Sequence, residues 1–111
     1  MFHYTDTGGF KAITSQVTWT FKAQAPLGPH PVGAYFTTLP PATSNLARRL
    51  RVPKEKLDQA FAFSGADGFR PLDDGRGRGE YIFYSPTDYD VTRDRQRFAG
   101  PTLAFPAEVA P

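Results

Sequence analysis

The chain has 111 residues, the length of one domain that buries about two-thirds of its extended surface on folding. Hydrophobic residues make up 40% and aromatic ones 14%, which excludes disorder throughout and points to a core of Phe and Tyr. Zero cysteines exclude disulfides, thiolate nucleophiles and cysteine-bound zinc, and a formal charge of +2 argues only weakly for an anionic partner.

Phe2-His3-Tyr4-Thr5 reads as a short strand. "TDTGGFKAITSQ" follows as a brief helix, with Thr7 as its cap and Phe10 and Ile13 on one face. "QVTWTFKA" alternates, with Val17, Trp19 and Phe21 on one side, the pattern of a half-buried strand. "QAPLGPHP" ends it as a Pro-rich loop that contains His30, and "VGAYFTTL" predicts the next strand. "PPATSNLARRLR" predicts a short helix capped by Thr43 or Ser44, with arginines at its negative end. After Pro53, "KEKLDQAFAF" continues as a helix or, in its last part, a strand.

"SGADGFRPLDDGRGRG" reads as a long polar loop whose length hints at function more than architecture. "EYIFYS" predicts a strand bounded by Gly79 and Pro86, begun by Glu80, and "DYDVT" a further short one. The Pro/Ala-rich end, "AGPTLAFPAEVAP", packs through Leu103 and Phe105 or frays. Strands outnumber helices without regular alternation, so the expected class is α+β with a compact antiparallel or mixed sheet. The expected division is a domain over residues 1–98 and a tail over 99–111.

Arginines and lysines fall in three clusters: Arg48, Arg49, Arg51, Lys54 and Lys56; Arg70, Arg76 and Arg78; and Arg93, Arg95 and Arg97. Each by itself reads as solvated surface, and the second flanks Glu80. No stretch is long and apolar enough to span a bilayer, and "MFHYTDTGGF" lacks the basic-then-apolar layout of a secretory signal. The expected place of action is therefore the cytoplasm of a producing or target cell.

His3, Tyr35 and Glu80 stand on or beside predicted strands, and each has an ordinary reading. His3 would be exposed near the terminus, Tyr35 a core aromatic with a satisfied hydroxyl, and Glu80 a solvent-facing strand start. Glutamate is depleted in strands, which makes Glu80 the hardest to dismiss.

In order, "FHYT", "GAYFTTLP" and "GEYIFYS" resemble the histidine–tyrosine–glutamate class of ADP-ribosyltransferases. The last is similar to the "NEYIVYD"-like strand of poly(ADP-ribose) polymerases and the Glu-Tyr-Ile of diphtheria-toxin-like enzymes. "HYTD" and "G-x-Y-F-T-x-L-P-P" resemble more closely the small bacterial toxin ADP-ribosyltransferases named for a His-Tyr-Asp/Glu signature, over roughly residues 2–92.

The resemblance implies an ADP-ribosyltransferase-like split β core with short helices. It implies NAD⁺ as substrate and a protein or RNA acceptor. The module would be a toxin or effector with a cognate immunity protein, acting without metal or membrane. It also implies roles. The carboxylate of Glu80 would stabilise the oxocarbenium-like transition state as the nicotinamide–ribose bond breaks. Tyr35 would stack on the cationic nicotinamide ring, His3 would hydrogen-bond the adenosine-side ribose, and the Tyr4 backbone would hold the nicotinamide amide. Arg76 and Arg78 would attract the pyrophosphate or an anionic acceptor.

Asn45 or Leu46 stands where relatives commonly carry a second aromatic. Arg78, two residues before Glu80, departs from the acid-x-acid arrangement of transferases that modify arginine. Asp88 and Asp90 are the alternative acids. Calcium at Asp88, Asp90 and Asp94 lacks the glycine and distal glutamate of an EF-hand loop, and no GxSxG element occurs. Two alternatives stay open: an NAD⁺ glycohydrolase, in which water replaces the acceptor, and a noncatalytic RNA-binding module.

Overall fold

The computed structural model describes residues 1–25, 30–65, 67–73, 75 and 77–106. Among the described residues eight strands and two short helices follow one another in chain order. They are β1 (Phe2–Thr5), α1 (Thr7–Thr14), β2 (Trp19–Phe21), β3 (Ala34–Thr37), α2 (Leu46–Leu50), β4 (Gln59–Phe63), β5 (Arg70–Pro71), β6 (Ile82–Ser85), β7 (Tyr89–Val91) and β8 (Gln96–Pro101). Six strands form one antiparallel sheet in the order β5-β6-β3-β1-β4-β8, and β2 pairs with β7 in a second. The class is α+β, as the composition of elements predicts.

The core lies between the two sheets. Trp19 and Phe21 of β2 and Val91 of β7 meet Ala34, Phe36, Phe61 and Phe63 of the large sheet. Phe21 sets its ring edge-on to Phe36 at 5.2 Å and to Phe61 at 5.4 Å, the geometry that ring quadrupoles favour. Phe10 and Ile13 of α1 pack against this cluster, as their spacing predicts.

Several expectations change in detail. Asp6, not Thr7, caps α1: its carboxylate accepts from Gly9 N–H at 2.8 Å. Val17 is 68% exposed because β2 begins only at Trp19, after Val17 has spent its carbonyl on Gln96 Nε2. Neither Thr43 nor Ser44 caps α2; the helix starts after Asn45, whose φ of 57° is left-handed, with no side-chain cap. "KEKL" forms a 3-10 turn and "QAFAF" the strand β4.

The long polar loop is partly structured. Phe69 stacks on Phe36 at 4.6 Å, Leu72 is buried, and Arg70–Pro71 adds β5 to the sheet edge, where proline is tolerated. Arg95, read as solvated surface, instead donates to the Ser64 carbonyl at 2.9 Å and lies over the Tyr89 ring at 5.3 Å.

The expected boundary between residues 98 and 99 falls inside β8, which pairs with β4 from Gln59↔Pro101 to Phe63↔Gln96. Beyond it Thr102 N–H donates to the Asp58 carbonyl at 2.9 Å. Phe105 sets its ring against Phe2 at 5.4 Å and Phe98 at 5.2 Å, whereas Leu103 is fully exposed. Residues 99–106 thus belong to the domain, and 107–111 lie outside the described residues. No helix among the described residues is long and apolar enough to cross a membrane.

Candidate functional site

The strands of the three sequence motifs are neighbours. In the large sheet β6, β3 and β1 lie side by side, carrying the residues after Glu80, Tyr35 and His3 respectively. The "G-x-Y" glycine has a physical reason: a Cβ on Gly33 would come within 2.7 Å of the Ser85 carbonyl oxygen.

Between β1 and β3 the sheet parts. Their ladder contains one residue pair, Phe2↔Thr37, against four between β1 and β4. Met1 fixes which backbone groups face the gap. Its amine donates to the Phe63 carbonyl at 3.0 Å, and Phe63 N–H returns a bond to the Met1 carbonyl at 3.1 Å. Strand alternation therefore turns the N–H and C=O of His3 and Thr5 toward β4, and those of Phe2 and Tyr4 toward β3. Past Phe2 the β3 ladder has ended, so the Tyr4 backbone faces the opening.

His3 spans the parting strands. Its Nδ1–H donates to the Tyr35 carbonyl at 2.9 Å, and a carbonyl can only accept, so the proton sits on Nδ1. The ring is walled by Phe21, Phe36 and Phe61, with centroids at 4.7, 5.6 and 6.2 Å. Burial among these rings lowers its pKa to about 4, partly offset by the bond to Tyr35. At neutral pH Nε2 is thus a bare acceptor. It has no protein partner among the described residues, where no buried side-chain nitrogen or oxygen is left unpaired, so it is open to the adjoining cavity.

Two cavities meet at this point. The first, about 460 Å³, is lined by Ala12 and Ile13 of α1 and by Gln16, Thr20 and Lys22. The second, about 600 Å³, is lined by Phe2, Thr37, Leu72 and Ile82, with Arg51 and Arg78. His3, Tyr4, Gln24, Tyr35 and Lys56 line both. Two of the three predicted binding positions therefore flank the same opening through side chains, and Tyr4 does so through its backbone. Its hydroxyl is spent on the Leu39 carbonyl at 2.8 Å, and burial pushes its pKa up.

Tyr35 is half-buried and held at both ends. Its ring stacks on Tyr84 at 5.6 Å, and its hydroxyl donates to the Pro31 carbonyl. Burial, then the neighbouring Tyr84, raises its pKa. Lys56 reaches across to Asp6 at 2.7 Å, which holds the Asp6 carboxyl below the usual range. Lys56, Gln24 and Arg51 join the lining beyond the positions the motifs mark. Lys56 and Arg51 carried a signal in the first basic cluster; Gln24 carried none.

Glu80 stands apart. The expectation that it begins a buried strand is corrected: it ends a 3-10 turn, Arg78–Glu80, its side chain is exposed, and β6 starts two residues later. The turn is set by Gly79, where a Cβ would approach the Leu72 carbonyl oxygen to 2.6 Å. Glu80 lines neither cavity, although Arg78 and Ile82 on either side of it line the second. Its carboxylate has no hydrogen-bond or ion-pair partner among the described residues.

The alternative acids are tied up elsewhere. Asp88 accepts from Ala23 N–H at 2.7 Å and lies 3.7 Å from Lys22, and Asp90 accepts from the Thr20 hydroxyl at 2.8 Å. Asp90 staples β2 to β7, and Asp88 ties the residues just after β2 to the start of β7. His30 borders the second cavity, and Arg76 lies outside the described residues.

Among the described residues both cavities are lined by cations, Lys22, Arg51, Lys56 and Arg78, and by no carboxylate. Such a lining suits an anionic ligand, although Lys22 and Lys56 also pair with Asp88 and Asp6. No protein-family model, no characterised protein and no solved structure matches the chain.

Proposed function

We propose that this chain binds NAD⁺ at the β1–β3 opening and cleaves its nicotinamide–ribose bond, transferring ADP-ribose to a macromolecule. The reading includes an ADP-ribosyltransferase-type split core, in which the parting of β1 from β3 is the split. The observation that carries it is the state of His3: neutral, with Nδ1 fixed on the Tyr35 carbonyl and Nε2 free to accept from a ribose hydroxyl.

Around that atom the other groups have matching chemistry. The gap-facing N–H and C=O of Tyr4 suit a carboxamide, which needs one acceptor and one donor. The Tyr35 ring offers a face to a pyridinium cation. Arg51 offers charge to phosphates, with the ion-paired Lys56 on the same wall. Glu80 supplies the carboxylate at developing positive charge, swinging from its exposed turn over the second cavity once substrate is bound. The module would act as a toxin or effector, neutralised by a cognate immunity protein.

Nicotinamide release from NAD⁺ by the purified protein, with and without lysate or RNA, tests this. Release that yields labelled protein or RNA is expected, and Glu80→Gln should lower the rate about 10²–10³-fold. Asp90→Asn should leave it unchanged. Release without any acceptor would make the chain a glycohydrolase. NAD⁺ left intact under every condition would overturn the reading.

A further inference from the structure

We propose that the α2 face and the 3-10 turn after it bind single-stranded nucleic acid and present it to the Glu80 turn as the ADP-ribose acceptor. Residues 46–57 carry Arg48, Arg49, Arg51, Lys54 and Lys56 against one acid, Glu55. All five cations are exposed, and only Lys56 has a carboxylate partner among the described residues. The small net charge hides this asymmetry. Asp88 and Asp90 sit at the second sheet, across the core, and are consumed by Ala23, Lys22 and Thr20.

The ridge adjoins the site. The Arg49 guanidinium lies over the Tyr81 ring at 5.0 Å, and the Tyr81 hydroxyl donates to the Arg49 carbonyl at 3.4 Å. Tyr81 directly follows Glu80. Arg51 and Lys56 line the second cavity, so positive charge runs from the open surface to its wall. A phosphate chain fits such a row, and a stacked guanidinium plane offers a platform for a base, which an acidic peptide would not use.

Strand binding stands independently; the transfer step rests on the NAD⁺ reading above. In that step a strand hydroxyl oxygen bonds to the ribose C1′ as the bond from that carbon to the nicotinamide nitrogen breaks. Nicotinamide leaves neutral with the electron pair, and the hydroxyl proton passes through Glu80 to solvent.

The test is fluorescence anisotropy of a labelled 20-nucleotide RNA with the full chain, beside transfer of label from NAD⁺. Binding should weaken with salt with a log–log slope of about −3, as for four or so phosphate contacts. Arg48→Glu with Lys54→Glu, neither lining a cavity, should weaken it about tenfold or more and leave NAD⁺ binding, read by calorimetry, unchanged. Strand binding with NAD⁺ intact would sink the transferase reading but keep this surface. Nicotinamide release without strand binding, or binding indifferent to the two charge reversals, would overturn the surface. Label found on protein with bound RNA untouched would overturn its role as acceptor.

Discussion

The two halves of the proposed site are built in opposite ways. At the β1–β3 opening His3 is fixed by a side-chain-to-backbone bond and enclosed by three phenylalanine rings, and Tyr35 is pinned by Tyr84 and Pro31. At the other half Glu80 is exposed on a short 3-10 turn. The half proposed to bind is therefore tied into the packing around the core, so its residues serve stability whatever they recognise. The acidic half is not, and its residue is free to serve chemistry alone. Substitutions should separate the two.

The largest expected effect lies in the wall behind His3. Phe61 is fully buried and meets Trp19 at 4.9 Å, Phe10 at 5.3 Å and Phe21 at 5.4 Å. Phe61→Ala should cost about 3–5 kcal/mol of unfolding free energy, read from urea melts. A loss below about 1 kcal/mol would mean that the site is not built into the core.

Next comes the pH response of His3. Its folded pKa is lowered from 6.5 to about 4, so between those values the unfolded chain holds a proton that the folded one does not. Stability is then full above about pH 6.5 and falls as pH drops toward 4, by about 3 kcal/mol at the low end. His3→Gln keeps a donor for the Tyr35 carbonyl and should flatten this share of the acid slope. Carboxylates are common to both proteins, so the difference between their pH profiles isolates the imidazole. Parallel profiles would show that His3 is already hydrated.

Each half also carries a glycine pressed against backbone. A Cβ would reach 2.7 Å from the Ser85 oxygen at Gly33 and 2.6 Å from the Leu72 oxygen at Gly79. Backbone cannot yield as a side-chain tip can, so each alanine variant should cost about 1–3 kcal/mol. The consequences should diverge: Gly33→Ala shifts Tyr35 and weakens ligand binding, whereas Gly79→Ala moves the Glu80 turn and slows turnover. Identical kinetic signatures would erase the distinction.

How far the sequence revealed this follows from the range of each interaction. β1, the apolar face of α1, β3, β6 and β7 announce themselves through local alternation and helical spacing. The parting of β1 from β3 does not, because the bond that marks it joins His3 to a carbonyl 32 positions away. The packing of Phe69 is hidden too, because its partner Phe36 is comparably remote along the chain. The end of β8, Ala99–Pro101, is not legible as strand because an edge strand ending in Gly-Pro needs no periodic apolar face. Glu80 looked like a strand start because "EYIFYS" is continuous in residue type; the Gly79–Leu72 contact that delays β6 is tertiary.

The smallest expected effect on stability completes the contrast. Glu80 is exposed and has no partner among the described residues, so Glu80→Gln should change unfolding free energy by less than about 0.5 kcal/mol. If the same variant lowers nicotinamide release by orders of magnitude, a residue outside the packing network is limiting the rate. That dissociation is what a carboxylate reserved for transition-state charge requires, since an exposed acid without partners contributes little to folding. If instead both readouts stay flat, Glu80 is surface and the developing charge must be met by a group other than this acid.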